Sequence, residues 1–355
     1  MWVADSDFKA PVEVVNAVVA RAEHGVYGYP VESRRLKTSV SAWLYRRHGL
    51  EVREEEVAYC PGVIPGVICG IRAFSEPGDG VIIQTPCYPP FVQAVERNLR
   101  RPERNPLLLR DGRYEIDFEG FEALCRKEST RIFILCNPHN PTGRVFSRDE
   151  LSLMSEICSR SNVVILSDEI HGDIIYPGRR HIPLPLVSER SARNSVTFLA
   201  ASKTFNVPGL NTAAYYTKNP DFLAAMESKI AENKGYRENI FGTLALCESF
   251  EKCGYYADEL CEYLTENLRL AAEAFRKIPG MTLIPPEGTY LLWIDCRALE
   301  LTQEALVSNF VSGAKVGIQS GTDFGGEGEG FVRMNIACPR STLTEALSRI
   351  TAYFQ

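Results

Sequence analysis

Short apolar runs alternate with amphipathic stretches from about residue 57 to residue 200, and this alternation constrains the fold more than any other feature. Such apolar runs are typical of buried strands. The predicted strands are VAYC (57–60), GVIIQ (80–84), RIFILC (131–136), NVVILSD (162–168) and SVTFLA (195–200). Because strands that alternate with helices are joined by right-handed crossovers, we expect an α/β fold with a largely parallel sheet covered on both faces.

Helix signals lie between these strands. Apolar residues recur near helical spacing in VIPGVICGIRAFSE, PPFVQAVERNL, DFEGFEALCRK and SRDELSLMSEICSR. The SRDE at 147–150 predicts a capping box with Ser147 at the N-cap. These stretches are therefore the predicted crossover helices.

The pattern changes after residue 220. Helical periodicity in DFLAAMESKIAENKG and over residues 236–276 is followed by the strand-like runs MTLIP, TYLLWIDC and GFVRMNIAC. STLTEALSRITAYF then predicts a closing helix. We expect a large domain at 28–254 and a smaller C-terminal α+β domain at 255–355.

Composition excludes several classes of protein. A chain of 355 residues with a formal charge of −6 has no basic surface for nucleic acid or an anionic membrane. Its eleven cysteines form no C-x-x-C pair, which predicts packed thiols in a reducing compartment and no metal site. Neither a signal peptide nor a membrane span is indicated, so we expect a cytoplasmic protein.

Chemically useful groups follow the carboxyl ends of the predicted strands, where ligands collect in open α/β sheets. Tyr88 lies among prolines after GVIIQ, Asn140 lies in NPHNPTG after RIFILC, and Asp168 directly follows NVVILS. Each has an ordinary structural alternative: a core tyrosine, a loop asparagine and a helix cap. The turn PGVIPGV after VAYC could cradle a phosphate or be only a tight strand-to-helix connection.

Lys203 stands at the end of SVTFLAAS among small and apolar neighbours. Burying a free ammonium is costly, whereas an imine at this nitrogen avoids most of that cost. Helix amides, an aromatic face, an amide, a carboxylate and this amine together match a phosphorylated aromatic aldehyde with a basic ring nitrogen. The strand ends therefore predict one pocket with Lys203 as a Schiff-base amine.

NPHNPTG, SDEIH and SKTFNVPGL resemble the cofactor-binding motifs of fold-type I pyridoxal-phosphate enzymes, the aminotransferase class I/II group. MWVADSDF, HGVYGYP, TPCYPPF, DEIHGD, HIPL and GFVRMNIACPRS are similar to its C–S lyase branch, the MalY/PatB cystathionine β-lyase family, in the same order. The resemblance covers essentially the whole chain. It implies a large domain with a mostly parallel seven-stranded sheet, a small C-terminal domain and the cofactor pyridoxal 5'-phosphate.

The resemblance also implies residue roles. Lys203, Tyr88 and Asp168 would be catalytic: the Schiff-base amine, the ring-stacking aromatic and the partner of the pyridine nitrogen. The other cofactor contacts would come from the Val63 and Ile64 amides, Asn140, His171, Ser202 and Tyr29. Arg333, in the apolar strand FVRMNIA, resembles the arginine that grips the substrate α-carboxylate, with Asn140 and Tyr29 beside it.

Tyr29 resembles a tyrosine that reaches the neighbouring subunit, which implies a homodimer with shared active sites. Two departures concern the phosphate and the N-terminus. Position 200 is alanine where some relatives carry a phosphate-binding hydroxyl, and relatives typically have a few dozen residues before MWVADSDF. The expectation is that this preceding arm is absent and that segment 1–27 packs with the small domain.

The expected reaction is α,β-elimination on an S-substituted cysteine to give pyruvate, ammonia and a thiol. An aminotransferase using the same residues is the alternative, because no single residue separates the two. A regulatory protein acting by protein contact is another alternative, since one relative in this branch represses a transcription activator. We expect substrate specificity to depend on loops near residues 1–9, 233–242 and 317–330.

Overall fold

The structure, a computed structural model, describes residues 1–31, 33–233 and 237–355. Its strands are β1 (Val57–Cys60), β2 (Gly80–Thr85), β3 (Arg101–Pro106), β4 (Leu108–Arg110), β5 (Arg113–Glu115), β6 (Thr130–Cys136), β7 (Val164–Asp168), β8 (Ser195–Leu199), β9 (Ala213–Tyr216), β10 (Thr282–Ile284), β11 (Leu291–Asp295), β12 (Gln319–Ser320) and β13 (Phe331–Asn335). All five strands predicted between residues 57 and 200 are confirmed.

The helices surround these strands. They are α1 (Val12–Glu23), α2 (Arg34–His48), α3 (Val63–Phe74), α4 (Pro89–Arg97), α5 (Phe118–Cys125), α6 (Arg148–Arg160), α7 (Glu189–Arg193), α8 (Pro220–Glu232), α9 (Ile240–Lys252), α10 (Gly254–Phe275), α11 (Gln303–Ser308) and α12 (Arg340–Phe354). The predicted capping box is confirmed: Ser147 Oγ accepts from Glu150 N at 3.2 Å, and Ser147 N donates to Glu150 Oε2 at 2.7 Å. Residues 234–236, which belong to the predicted helical regions after residue 220, lie outside the described residues.

The larger sheet has seven strands within the described residues, in the order β1-β9-β8-β7-β6-β2-β3. Strands β3, β2, β6, β7 and β8 pair in parallel, whereas β9 runs antiparallel to both β8 and β1. The predicted fold class, with its mostly parallel seven-stranded sheet, is therefore confirmed. The parallel pairing places the carboxyl ends of β6, β7 and β8 at one edge.

Two strands of this sheet were not predicted. Strand β3, with the sequence RPERNP, lies at the sheet edge and is largely exposed apart from Asn105. An edge strand pairs on one side only, so prolines and charged side chains are compatible with it and no apolar run marks it. Strand β9 has only four residues and lies fully buried between β1 and β8.

The C-terminal region contains a separate antiparallel sheet in the order β10-β11-β13-β12. Its buried face packs with α10 and α12 in one apolar cluster that includes Leu264, Leu292 and Leu343. The boundary near residue 255 stays a prediction. The first residues of the chain hydrogen-bond to β13, through Asn335 N to Met1 O and Asp7 N to Ala337 O, and α1 packs against α9.

No helix in the described part of the chain is long and apolar enough to cross a membrane. All eleven cysteines lie in described residues and are free thiols, ten of them buried. The thiols are therefore packing residues of the core.

Candidate active site

A cavity of about 210 Å³ opens at the carboxyl edge of the larger sheet. Eight of the predicted site residues line it: Val63, Ile64, Tyr88, Asn140, Asp168, His171, Ser202 and Lys203. They come from five separate connections that follow β1, β2, β6, β7 and β8. The parallel sheet thus brings together residues spread over 140 positions of the sequence.

Lys203 lies in the turn that follows β8 and is partly buried in the cavity wall. Its Nζ donates to the carbonyl oxygen of Ala4 at 2.5 Å. Burial lowers the pKa of the Lys203 amine, and the positive charge of Arg333 lowers it further. The neutral, nucleophilic form of the amine is therefore more abundant than on a surface lysine.

Asp168 ends β7, and its side chain is buried. Its Oδ1 accepts from Ile170 N at 3.0 Å. Burial raises the pKa of this carboxyl to about 7, against the opposing effects of the Ile170 hydrogen bond and the Lys203 charge. A carboxyl of this kind is suited to pair with a protonated ring nitrogen, because a cation beside it stabilises its ionised form.

Tyr88 and the start of α3 also line the cavity. Tyr88 is the N-cap residue of α4, with prolines at the first helical positions, and its ring lies edge-on to Phe91 at 5.7 Å. Val63 and Ile64 open α3 after Gly62, which has a φ of 153°. The first amides of this helix have no intrahelical acceptor and can bind an anion, and Ser202 lines the same cavity.

Two glycines of α3, Gly66 and Gly70, allow this helix to lie close to the sheet. A Cβ added at Gly66 would lie 2.7 Å from the Phe198 ring, and one at Gly70 would lie 2.8 Å from Leu166. The helix therefore needs glycine to pack closely on β7 and β8. This close packing supports a tight strand-to-helix connection for PGVIPGV, and its role as a phosphate cradle stays a prediction.

Arg333 lies on β13 and is 3% exposed. Its Nη1 donates to Asn140 Oδ1 at 2.9 Å, and its Nη2 donates to Trp2 O at 2.9 Å and to Gln319 Oε1. The guanidinium carbon lies 4.7 Å from the centre of the Phe324 ring. Burial lowers the pKa of Arg333 to about 10, which leaves the guanidinium charged at neutral pH.

Two buried nitrogens beside the cavity have no hydrogen-bond partner in the described structure, Arg333 Nε and His171 Nδ1. Burial holds the pKa of His171 well below its usual range, and the charges of Lys203 and Arg333 act in the same direction. His171 is therefore a neutral imidazole at neutral pH. Buried polar atoms without a partner indicate that a polar ligand completes this site.

Tyr29 is not brought to the cavity. Its side chain is 88% exposed, and its ring lies 4.9 Å from the guanidinium carbon of Arg237. Its role was predicted for a neighbouring subunit's site, so that role stays a prediction. The loop expected at 233–242 falls partly on residues 234–236, outside the described residues.

The family model for aminotransferase class I and II matches residues 6–350. The chain belongs to this family. The relatives agree with the predicted branch of this aminotransferase family: the chain is 39% identical to cystathionine β-lyase PatB of Bacillus subtilis, an alignment covering 99% of this chain and 91% of PatB. It is 33% identical to protein MalY of Escherichia coli, covering 98% of this chain and 89% of MalY.

Among solved structures, cystalysin from Treponema denticola, which contains a pyridoxal 5'-phosphate cofactor, superposes with a TM-score of 0.96. The two are 34% identical, and the match covers 99% of this chain and 90% of cystalysin. The predicted family, its C–S lyase branch and the fold are thereby confirmed.

Sequence reasoning missed four members of this aminotransferase-family site: Ala4, Tyr290, Gln319 and Phe324. The loops at 1–9 and 317–330 were expected to matter, but no residue in them was singled out. Tyr290 lies just before β11 in a uniformly apolar run, so its buried hydroxyl had no distinguishing signal. The contacts of these residues join distant parts of the chain, which local patterns do not reveal.

Proposed function

We propose that the protein is a pyridoxal-phosphate-dependent C–S β-lyase that cleaves an S-substituted cysteine such as cystathionine. The observation that carries the proposal is the cavity in which Lys203, with its lowered pKa, lies with the buried Asp168 beside the charged Arg333. The choice of a lyase is supported by the relative PatB, a cystathionine β-lyase whose alignment covers 99% of this chain.

The residues present fit pyridoxal 5'-phosphate. The α3 N-terminus at Val63 and Ile64, with Ser202, would hold the phosphate, and Tyr88 would stack on the ring. The remaining polar contacts would come from Asp168, Asn140, His171 and Lys203. The unpartnered His171 Nδ1 and the buried Asp168 carboxyl support this fit. When bound, the cofactor supplies an aldehyde carbon that accepts amines and a ring that accepts electrons.

Arg333, Asp168 and Lys203 each have a different role in the proposed reaction. Arg333 binds the substrate α-carboxylate through guanidinium hydrogen bonds, and its unpartnered Nε is available for this. Asp168 accepts a hydrogen bond from the ring N–H and keeps the proton on that nitrogen. The Lys203 amine takes the proton from the substrate Cα, a step worth about 10²–10⁴-fold for a positioned base.

The elimination balances without an oxidant. The C–S bond breaks with its electron pair on sulfur, and the sulfur takes the proton that Lys203 removed from Cα and leaves as a thiol, which returns Lys203 to its neutral form. The aminoacrylate that remains is hydrolysed by water to pyruvate and ammonia. Tyr88 and Ile64 line the cavity in which these steps would take place.

The test is incubation of the cofactor-loaded enzyme with L-cystathionine in the absence of any 2-oxo acid. The proposal predicts pyruvate and free thiol in equal amounts. An aminotransferase would release neither pyruvate nor thiol, because it would convert L-cystathionine to the corresponding 2-oxo acid with the C–S bond intact and would need an added 2-oxo acid for sustained turnover. That result would contradict the proposal.

We also propose a homodimer in which Tyr29 of each chain completes the site of its partner. The support is the exposed apolar run around this residue, in which Val26, Tyr27, Tyr29 and Val31 are all more than half exposed. The free cysteines support a reducing compartment, for which we propose the cytoplasm. The division at 28–254 and 255–355 belongs to the same proposal. Of the segment 1–27, only the first residues pack with the C-terminal cluster, whereas α1 packs on α9 of the proposed large domain, which corrects the expectation for the whole segment.

A further inference from the structure

Residues 1–5 lie beside the cavity, with Ala4 in its wall, and each of their backbone carbonyls accepts a hydrogen bond. The bonds are Asn335 N to Met1 O, Arg333 Nη2 to Trp2 O, Asn335 Nδ2 to Val3 O and to Asp5 O, and Lys203 Nζ to Ala4 O. Since Ala4 also lines the cavity, this backbone is built into the site and does not merely cover it.

The Ala4 carbonyl has a second donor, the hydroxyl of Tyr290 at 3.0 Å. Tyr290 is fully buried just before β11, and its ring lies edge-on to His171 with the ring centres 5.8 Å apart. The hydroxyl is therefore fixed by the packing of its own ring. It holds the Ala4 carbonyl oxygen from one side while Lys203 Nζ approaches from another.

The electrostatics make this carbonyl important for the lysine. Burial and the charge of Arg333 both disfavour the protonated form of Lys203. An ammonium formed here needs an acceptor that is already in place, because a fixed dipole costs no reorganisation when the charge appears. The Ala4 carbonyl is an acceptor of this kind, and Tyr290 fixes its direction.

We infer that Tyr290 is a positioning residue, which holds the Ala4 carbonyl as the acceptor for the proton-bearing amine of Lys203. The effect on the amine follows from the two hydrogen bonds to the Ala4 carbonyl, from Lys203 and from Tyr290. Its catalytic consequence rests on the proposed function, in which Lys203 carries the Cα proton. Loss of the hydroxyl should weaken the stabilisation of the ammonium and leave the rest of the cavity intact.

The test compares Tyr290→Phe with Tyr256→Phe in the full chain with the cofactor removed. Tyr256 is a matched control, because its hydroxyl donates to Lys9 O at 2.9 Å in the same N-terminal segment but away from Lys203. Carbamoylation of Lys203 by cyanate is followed by peptide mass spectrometry over a range of pH. Below the midpoint of the profile, Tyr290→Phe should raise the rate about three- to tenfold, the effect of losing the one neutral hydrogen bond that fixes the carbonyl.

The pH profile separates positioning from exposure. Positioning moves the midpoint to lower pH and leaves the rate above it unchanged, whereas an opened segment or a misfolded chain also raises the rate above the midpoint, where the amine is already neutral. An unchanged midpoint in Tyr290→Phe, or an equal shift in Tyr256→Phe, would overturn the inference. A shift to higher pH would also overturn it, because the hydroxyl would then compete with the lysine for the carbonyl.

Turnover of L-cystathionine provides the second readout. Tyr290→Phe should lower kcat about three- to tenfold and change KM less than twofold, since the hydroxyl donates its hydrogen bond to the Ala4 carbonyl and the substituted phenylalanine keeps the ring that packs beside His171. If the unaltered enzyme released no pyruvate, the proposed function would fail while the cyanate result still decided the role of Tyr290. A shifted midpoint with an unchanged kcat would reject only the catalytic consequence.

Discussion

The side chain of Asp168 shows how strongly the fold changes the chemistry of one residue. The carboxyl is buried at the end of a core strand, and burial raises its pKa to about 7. A carboxyl with a higher pKa in the folded than in the unfolded chain binds its proton more tightly when folded. The resulting stabilisation is complete below the unfolded pKa of about 3.9 and is lost as the pH rises to about 7.

Asp168→Asn should remove this dependence in the cofactor-free protein, because an amide does not ionise. Relative to the unaltered chain, the free energy of unfolding of the variant should rise by on the order of 3 kcal/mol between pH 4 and pH 8. Urea denaturation at several pH values measures the difference. Asp149→Asn, at an exposed position in α6, is the matched control, and a flat difference for Asp168→Asn would contradict the assigned shift.

At this scale the sequence predicted the residues that follow strands, since the ends of parallel strands meet at one edge whatever the details of packing. Lys203, Asp168, Tyr88 and Asn140 were found in this way. Tyr290 could not be, because its hydroxyl meets a backbone carbonyl 286 positions away. Nothing local to either residue encodes that contact.

Helix α3 is the element whose packing places Val63 and Ile64, the proposed phosphate-binding residues, in the cavity wall. Gly66→Ala should destabilise the protein by about 1–3 kcal/mol, because the new methyl group would lie 2.7 Å from the ring of Phe198. Chemical denaturation checks this, and cofactor affinity should fall in parallel as α3 is displaced. Gly254→Ala, in α10, meets no atom closer than 3.9 Å and should be neutral or stabilising. Equal effects of the two substitutions would refute the close-packing argument.

Glu287 links the C-terminal sheet to the loop that carries Asn140. Its carboxylate accepts from Arg144 Nε at 3.0 Å and Val145 N at 2.8 Å, and Arg144 is itself 2% exposed. Glu287→Ala should cost about 3–5 kcal/mol in the free energy of unfolding, because it leaves the buried guanidinium with less compensation.

The control for this substitution is Glu266→Ala, which breaks an exposed pair with Arg269 in α10. An exposed ion pair contributes at most about 1 kcal/mol. Denaturation curves of both variants decide the matter: a loss below about 1 kcal/mol for Glu287→Ala would show that this link is not structural.

The elements themselves were largely predictable, since apolar runs mark the buried strands β1, β2, β6, β7 and β8 and helical spacing marks the crossover helices between them. The edge strand β3 and the four-residue β9 were the exceptions. Their pairing depends on neighbours in the sheet rather than on an apolar pattern of useful length. The antiparallel reversal at β9 likewise follows from tertiary packing.

At the scale of the whole molecule, two sheets and the first five residues meet around one cavity, and the proposed dimer would complete it. Light scattering of the purified protein should give a mass twice the 39.7 kDa of one chain. Tyr29→Phe should leave that mass unchanged and lower the affinity for cofactor by at least about tenfold, the loss for one hydrogen bond to a charged group. A monomer with full affinity for cofactor would exclude the shared site.

In the proposed function, Lys203 is the amine that binds the cofactor and takes the proton from the substrate Cα. Reduction of the cofactor-loaded protein with borohydride, followed by peptide mass spectrometry, tests it most directly. We expect a single pyridoxyl-phosphate adduct on Lys203 and none on exposed lysines such as Lys252. Adducts spread over surface lysines, or an unmodified Lys203 in active enzyme, would contradict it.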